Sequence, residues 1–275
     1  MFSSIINNCL EEMYMNIIEA HINFEIDNKV LFENVNISIK KGTFVSIIGE
    51  NGVGKTTLLK LLSGLIISNN NIKIDNIQVN KYNMEEVNKK VSYITSDNEF
   101  FSKTVLEEIL GDQKLNNVVE VNRSKKLLDE FNLLYLEKMS PLDLSYAENQ
   151  IVALIKAIVK RSKIIILDNA FLRLDIDKRN ELFSYIKKYA LDNGITILMT
   201  SNDINDLKYS DRILLLRNSS IMFDGNYNAL VSNINLNKEG LKYPFEIEMS
   251  NKLIMYDLIR NVYDNVDSIV GELCE

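Results

Sequence analysis

Gly49-Glu50-Asn51-Gly52-Val53-Gly54-Lys55-Thr56-Thr57 lies between an apolar run, Thr43-Phe44-Val45-Ser46-Ile47-Ile48, and a leucine-rich segment, Leu58-Leu59-Lys60-Leu61-Leu62. A strand, a glycine-rich turn and a helix in that order form a phosphate-binding loop. Gly49 and Gly54 let the backbone fold around a polyphosphate, so that loop N–H groups and the helix N-terminus point at negative charge. Lys55 supplies a point charge for the β- and γ-phosphates, and the Thr56 hydroxyl stands where Mg²⁺ would sit. Asn51, Gly52 and Thr57 complete the loop residues expected at a nucleoside triphosphate.

Composition narrows the remaining classes. The chain has 275 residues, enough for one large α/β domain or a domain with an appendage. A formal charge of −7 argues against a nucleic-acid surface. Cys9 and Cys274 stand at opposite ends, which gives neither a disulfide framework nor clustered metal-ligand spacing, and His21 is the single histidine. No apolar run reaches the length of a membrane span. Asn7, Asn8, Glu11 and Glu12 interrupt any signal-like apolar core. The expected location is cytosolic, or peripheral to a membrane through a partner.

Working outward from the loop, the segment from Asn16 to Ile48 reads as strands, with Val35, Ile37 and Ile39 alternating with polar residues. Further strands are expected at 72–74, 77–79, 91–94, 164–167, 195–199, 213–216 and 221–223. Apolar spacing reads as helical from about Val105 to Lys160, and again around 177–190. Strands, an inserted helical block, then alternating strands and helices describe an α/β nucleotide-binding core with a helical subdomain. The expected division is an N-terminal extension (1–15), the nucleotide-binding domain (16–235, with 105–160 helical) and a C-terminal extension (236–275). Asp168 closes the apolar strand Ile164-Ile165-Ile166-Leu167, the position at which such proteins hold Mg²⁺ through a carboxylate.

With these residues in place, the chain resembles the ATP-binding subunits of ABC transporters. Leu144-Ser145-Tyr146-Ala147-Glu148-Asn149-Gln150 stands where that family has its LSGGQ signature, and Leu174-Asp175 matches its D-loop. The resemblance covers about residues 16–235 and implies an antiparallel β-subdomain beside the core. A narrower likeness is to the ATPases of energy-coupling-factor (ECF) vitamin and metal importers. It rests on Asp97-Asn98-Glu99-Phe100, on Asp175-Ile176-Asp177-Lys178-Arg179, and on the tail from Gly240 to Phe245 with its following helical segment. The tail reads either as the short C-terminal domain of those ATPases, a candidate for dimerisation, or as an unrelated helical cap on a sheet edge. The resemblance implies ATP and Mg²⁺ as ligands, a second ATPase subunit and a transmembrane transporter subunit as partners, and the cytoplasmic face of a membrane as location. A peptide exporter ATPase and a non-hydrolysing regulatory subunit are the alternatives.

Four departures from the family pattern, over five positions, bear on catalysis. Asn169 follows Asp168 where a glutamate normally activates water; an amide can hold a water but cannot take its proton. Ser96 aligns with the Q-loop glutamine, and Asn202 with the switch histidine. Tyr146 and Ala147 replace the two signature glycines and add Cβ atoms, and a ring, beside the expected path of a partner's ATP. Ser145 keeps its hydroxyl, and the helix after it keeps its dipole. Because the defects fall on both composite sites, a homodimer would carry each twice, which favours a heterodimer with a better-equipped paralogue. Phe24 is the aromatic that would stack on adenine, or else it packs in the core.

Overall fold

The computed structural model describes residues 15–111, 116–239, 241–263 and 265–274. The expected N-terminal extension, apart from Met15, lies outside the described residues, as do Cys9 and Gly240. Strands β1 (Asn16–Ile26) and β2 (Lys29–Lys40) are joined by Asp27-Asn28, with φ of 51° and 62°. Two successive left-handed residues give a hairpin turn whose twist matches that of its strands, and Asp and Asn tolerate it. The same device recurs at Asp75-Asn76, between β4 (Asn71–Ile74) and β5 (Ile77–Gln78). It recurs again at Asn218-Ser219, between β9 (Arg212–Arg217) and β10 (Ser220–Gly225). These turns fold two antiparallel units without glycine.

The first unit is a four-stranded antiparallel sheet in the order β2-β1-β4-β5. The second sheet has six strands. It takes in β3 (Phe44–Ile48), β6 (Val91–Thr95), β7 (Ile164–Asp168) and β8 (Thr196–Thr200), in the order β10-β9-β3-β8-β7-β6. Its pairs are parallel except β9–β10. Side chains on its strands alternate between two cores. Val45, Ile47, Ile164, Ile166 and Leu198 face helix α1 (Lys55–Ser63), whose Leu58, Leu59, Leu61 and Leu62 are fully buried against the antiparallel sheet. Phe44, Ile48, Ile165, Leu167, Ile197 and Met199 join the core packed by the helices on the other face. A parallel sheet covered on both faces requires such uninterrupted apolar strands, as the sequence reading expects.

The helical block lies between β6 and β7. It contains α3 (Val105–Leu110), α4 (Val118–Glu130) and α5 (Tyr146–Val159), with two 3₁₀ turns at Leu134–Leu136 and Pro141–Asp143. The single helical stretch expected over 105–160 is therefore broken. Asn132 adopts a left-handed φ of 58°, and Pro141 opens the second short turn, so that periodic apolar residues there belong to turns. Helix α2 (Met84–Lys90) was not legible: it has seven residues and one buried side chain, Val87. Helix α6 (Ile176–Asn193) runs between β7 and β8. Beyond β10 come α7 (Tyr227–Asn233), α8 (Phe245–Met255) and α9 (Val266–Leu273). Leu230, Leu236 and Leu241 bury into the main core, and the Tyr243 hydroxyl bonds the backbone at Ile234 and Leu236, which seats the start of the tail on the domain.

Glu108 fastens the helical block to the segment after β6. Its carboxylate accepts the N–H groups of Phe101 and Ser102 at 3.0 and 2.9 Å and pairs with Lys156 of α5. Burial alone would raise its pKa, but Lys156 and the Ser102 N–H outweigh that and hold it below the ordinary carboxylate value. Glu108→Ala should lower stability in urea unfolding by about 2–3 kcal/mol, since it strands two N–H donors and a lysine. Its contribution is present above the ordinary carboxylate pKa and lost as pH falls through the depressed folded value. Glu108→Gln should therefore flatten the acid limb of the stability–pH curve.

Candidate nucleotide site

Strand β3 delivers the glycine-rich loop at the carboxyl edge of the six-stranded sheet. Gly49 has φ 148°, and a Cβ there would come within 2.3 Å of the Leu216 carbonyl oxygen. Gly54 caps α1 with φ 107°, and its Cβ would press on Phe32 and Leu31 at 3.0–3.1 Å. Neither position admits a side chain. No side chain caps the N-terminus of α1, so its first N–H groups remain available to an anion. Lys55 is 7% exposed, and its Nζ donates to the carbonyls of Gly49 and Glu50 at 2.7 and 3.0 Å. Burial lowers its pKa, and nearby Asp168 works against that shift.

A cavity of about 560 Å³ opens over this loop. Asn51, Gly52, Gly54, Lys55, Thr56 and Thr57 form its floor. Ile26, Asp27, Lys29 and Leu31, from the β1–β2 hairpin, form one wall, and Asn169 and Asn202 close the other. Its size suits a nucleotide-sized ligand. Asp168 lies just behind, 6% exposed, with Oδ1 accepting from the hydroxyls of Thr56 (3.1 Å) and Thr200 (2.8 Å) and Oδ2 from Tyr93 (2.9 Å). Burial and the Asp168 charge raise the Tyr93 pKa, so its phenol stays a donor. Among the described residues there is no group of three or more His, Cys, Asp or Glu able to hold a metal. A Mg²⁺ ion here would therefore depend on Asp168, Thr56 and the ligand's phosphates together, the usual manner for this ion. The donor set fits it.

Asn169 has a left-handed φ of 50°, and its N–H donates to Thr200 Oγ1 at 3.0 Å. Its Oδ1 is buried without a hydrogen-bond partner. A buried acceptor without a partner is unfavourable, and a side-chain shift that exposed it to a water would satisfy it. Asn202 Nδ2 donates to Asn51 Oδ1 at 2.9 Å and so ties the loop after β8 to the phosphate loop. That loop is anchored in turn by Arg179, which pairs with Asp203 and, at 3.2 Å, with Asp206. Burial pushes the Asp206 carboxyl up to about 6, against the pull of Ser201 and Arg179.

Two expected site residues, Ser96 and Phe24, do not line the cavity. The Ser96 hydroxyl donates to Asp97 at 2.8 Å. Phe24 stacks on Phe32 with centroids 6.4 Å apart and packs against the core of the antiparallel sheet, so the cavity's apolar wall is Leu31 and Ile26 instead. Ser145, which the family resemblance would turn toward a partner's nucleotide, caps α5 in a capping box with Glu148 and does not line this chain's own cavity. Sequence reading missed Tyr93 and Thr200, which hold Asp168. Their signal was a hydroxyl-bearing residue near the carboxyl end of an apolar parallel strand, where α/β proteins gather their ligands.

These features define a phosphate-loop nucleotide-binding protein. Residues 32–172 match the family described as ABC transporter. The energy-coupling factor transporter ATP-binding protein EcfA1 of Oenococcus oeni is 32% identical over 228 residues, covering 80% of this chain and 82% of its own length. Its namesake from Ligilactobacillus salivarius is 30% identical over 256 residues, covering 90% and 91%. The chain belongs to the ABC transporter family, among its ATP-binding proteins. A solved structure, cbiO1 from Clostridium perfringens, described as part of the ABC transporter complex cbiONQ, shares the fold. Its TM-score is 0.71 at 22% identity, over 88% of this chain and 97% of that one.

Removing the Lys55 ammonium should weaken MgATP binding by about 10–100-fold, the worth of a charge-assisted bond to phosphate. Calorimetry on Lys55→Ala, with circular dichroism as the folding control, checks this. In Asp168→Asn, the gain in ATP affinity on adding Mg²⁺ should largely disappear.

Proposed function

We propose that this chain is an ATP-binding subunit of an ECF-type importer, acting at the cytoplasmic face of a membrane beside a second ATPase and a transmembrane subunit. Among its described residues no helix is long and apolar enough to cross a membrane, so translocation would need a partner. The single observation that carries the reading is the intact phosphate loop above Asp168, in a chain 32% identical to an ECF transporter ATP-binding protein. Lys55, Thr56, Thr57 and the α1 N-terminus would hold the triphosphate, and Asp168 with Thr56 would hold Mg²⁺. Bound there, Mg²⁺ would neutralise charge on the β- and γ-phosphates. Leu31 and Ile26 would meet the base.

Asn169 lines the cavity in the position after Asp168, where its amide would hold a water without being able to take the water's proton. Hydrolysis at this chain's own site would then be slow, since a missing general base typically costs about 10²–10⁴ in rate. Pairing with a complete paralogue would leave each composite site only part of the damage, with Ser145 offered to the partner's nucleotide. The same amide, standing where a proton-accepting carboxylate is expected, favours the second reading, a regulatory subunit that holds MgATP for a catalytic partner. Turnover by the purified chain, alone and co-expressed with a second ATPase, separates the two.

The chain alone should turn over well below the ~10 s⁻¹ common for enzymes. Asn169→Glu should raise that rate by no more than about tenfold, because Ser96 and Asn202 remain unchanged. A full-speed homodimer that reconstitutes transport without a second ATPase would overturn the heterodimer.

A further inference from the structure

Tyr146 stands at a position where the family resemblance leads one to expect glycine, at the first turn of α5. Its ring is turned onto its own chain. The hydroxyl donates to the Ala170 carbonyl oxygen at 2.7 Å, one residue beyond Asn169. The Arg173 guanidinium lies 5.4 Å from the ring centroid, within cation–π range. The same guanidinium pairs with Asp97 at 3.2 Å. Three segments thus converge on one ring: the start of α5, the loop after Asp168, and the segment after β6.

A second set of bonds joins the same segments independently. Asn98 Nδ2 donates to Asn149 Oδ1 and Gln150 Oε1, both at 3.2 Å. Gln150 Nε2 returns a bond to the Ser96 carbonyl at 3.1 Å, and Asn149 Nδ2 one to Asn98 O at 3.2 Å. These fix α5 to the segment after β6 but do not reach the loop that carries Asn169. Among the described residues the direct hydrogen bond from α5 to that loop is the one from Tyr146, with Arg173 beneath its ring; the Asp97–Arg173 pair joins the loop to the segment after β6. Glycine could make neither contact.

We propose that Tyr146 is a positioning residue that ties the start of α5 to the loop after Asn169, so that this chain's own nucleotide site and the Ser145 surface move as one body. Its functional meaning rests on the nucleotide-site reading above; the tie itself is testable without nucleotide. Tyr146→Phe keeps the ring over Arg173 and deletes only the hydroxyl, whereas Tyr146→Gly removes both.

The experiment is amide hydrogen exchange on the purified full chain, with and without MgATP, read in peptides covering 145–150 and 169–175. Without nucleotide, Tyr146→Phe should speed exchange at 169–175 by about three- to tenfold, the worth of one hydrogen bond, and Tyr146→Gly by more. Its melting temperature should stay within a few degrees of wild type. With MgATP, wild type should gain protection in both segments together, and in Tyr146→Phe the gain at 145–150 should fall away. A general loss of packing would not produce that uncoupling. Unchanged exchange at 169–175 in Tyr146→Phe, or undiminished MgATP protection of 145–150, would overturn the proposal. If the glycine variant fails to fold, the phenylalanine variant decides alone. Failure of wild type to bind MgATP would count against the nucleotide site, while the nucleotide-free comparison would still decide the tie.

Discussion

The six-stranded sheet is buried on both faces, and that constraint governs where charge can be. Its strands carry Ile, Val, Leu, Phe and Met into two cores, and a carboxylate in mid-strand would face apolar packing on either side at great cost. Charge is tolerated only at the strand ends, where loops supply hydrogen bonds. Asp168 ends β7 in this way and survives at 6% exposure because three hydroxyls, from Thr56, Thr200 and Tyr93, satisfy its two oxygens. The phosphate loop, leaving β3 on the same edge, brings Lys55 and the α1 N-terminus to that carboxylate. Opposite charges meet at one rim because the parallel sheet has one carboxyl edge.

Around this rim the chain spends buried polar contacts on loop position more than on stability. Arg179 holds Asp203 and Asp206, which fix the loop bearing Asn202, and Asn202 then reaches Asn51. Glu108 holds the segment after β6 through its backbone N–H groups. Each anchor is a charged group whose desolvation is offset by several directed bonds, so the loops it grips have few alternative positions. Such a frame suits a protein whose ligand carries several negative charges.

The departures from the family pattern look different once they are placed in the fold. Asn169 keeps a left-handed backbone and a place in the cavity lining, and its Oδ1 is buried without a partner. Tyr146 does not project from its helix but engages Ala170 and Arg173. Asn169 and Asn202 line the cavity, whereas Ser96 does not, and its hydroxyl bonds Asp97.

How much of this was legible in the chain depended on the range of the interactions. Strand β3, the glycine loop and α1 are contiguous, so residues 43–62 announce phosphate binding without help, and the apolar run before Asp168 announces the second half of the site. Periodicity also gave the order of strands and helices, because burial on a sheet face or a helix stripe repeats along the chain. The hydroxyl partners of Asp168, the cavity wall made by Leu31 and Ile26, the stacking of Phe24 on Phe32 and the turn of Tyr146 onto Ala170 were decided only in the tertiary structure. Apart from the Phe24–Phe32 pair within one hairpin, each brings together residues far apart in sequence, and their side chains carry no local pattern that names a partner. What the sequence by itself determined was therefore the chemistry of the site, since a continuous loop carries it. Tertiary packing decided which side chains hold that chemistry in place, since strand order and crossover connections set their neighbours.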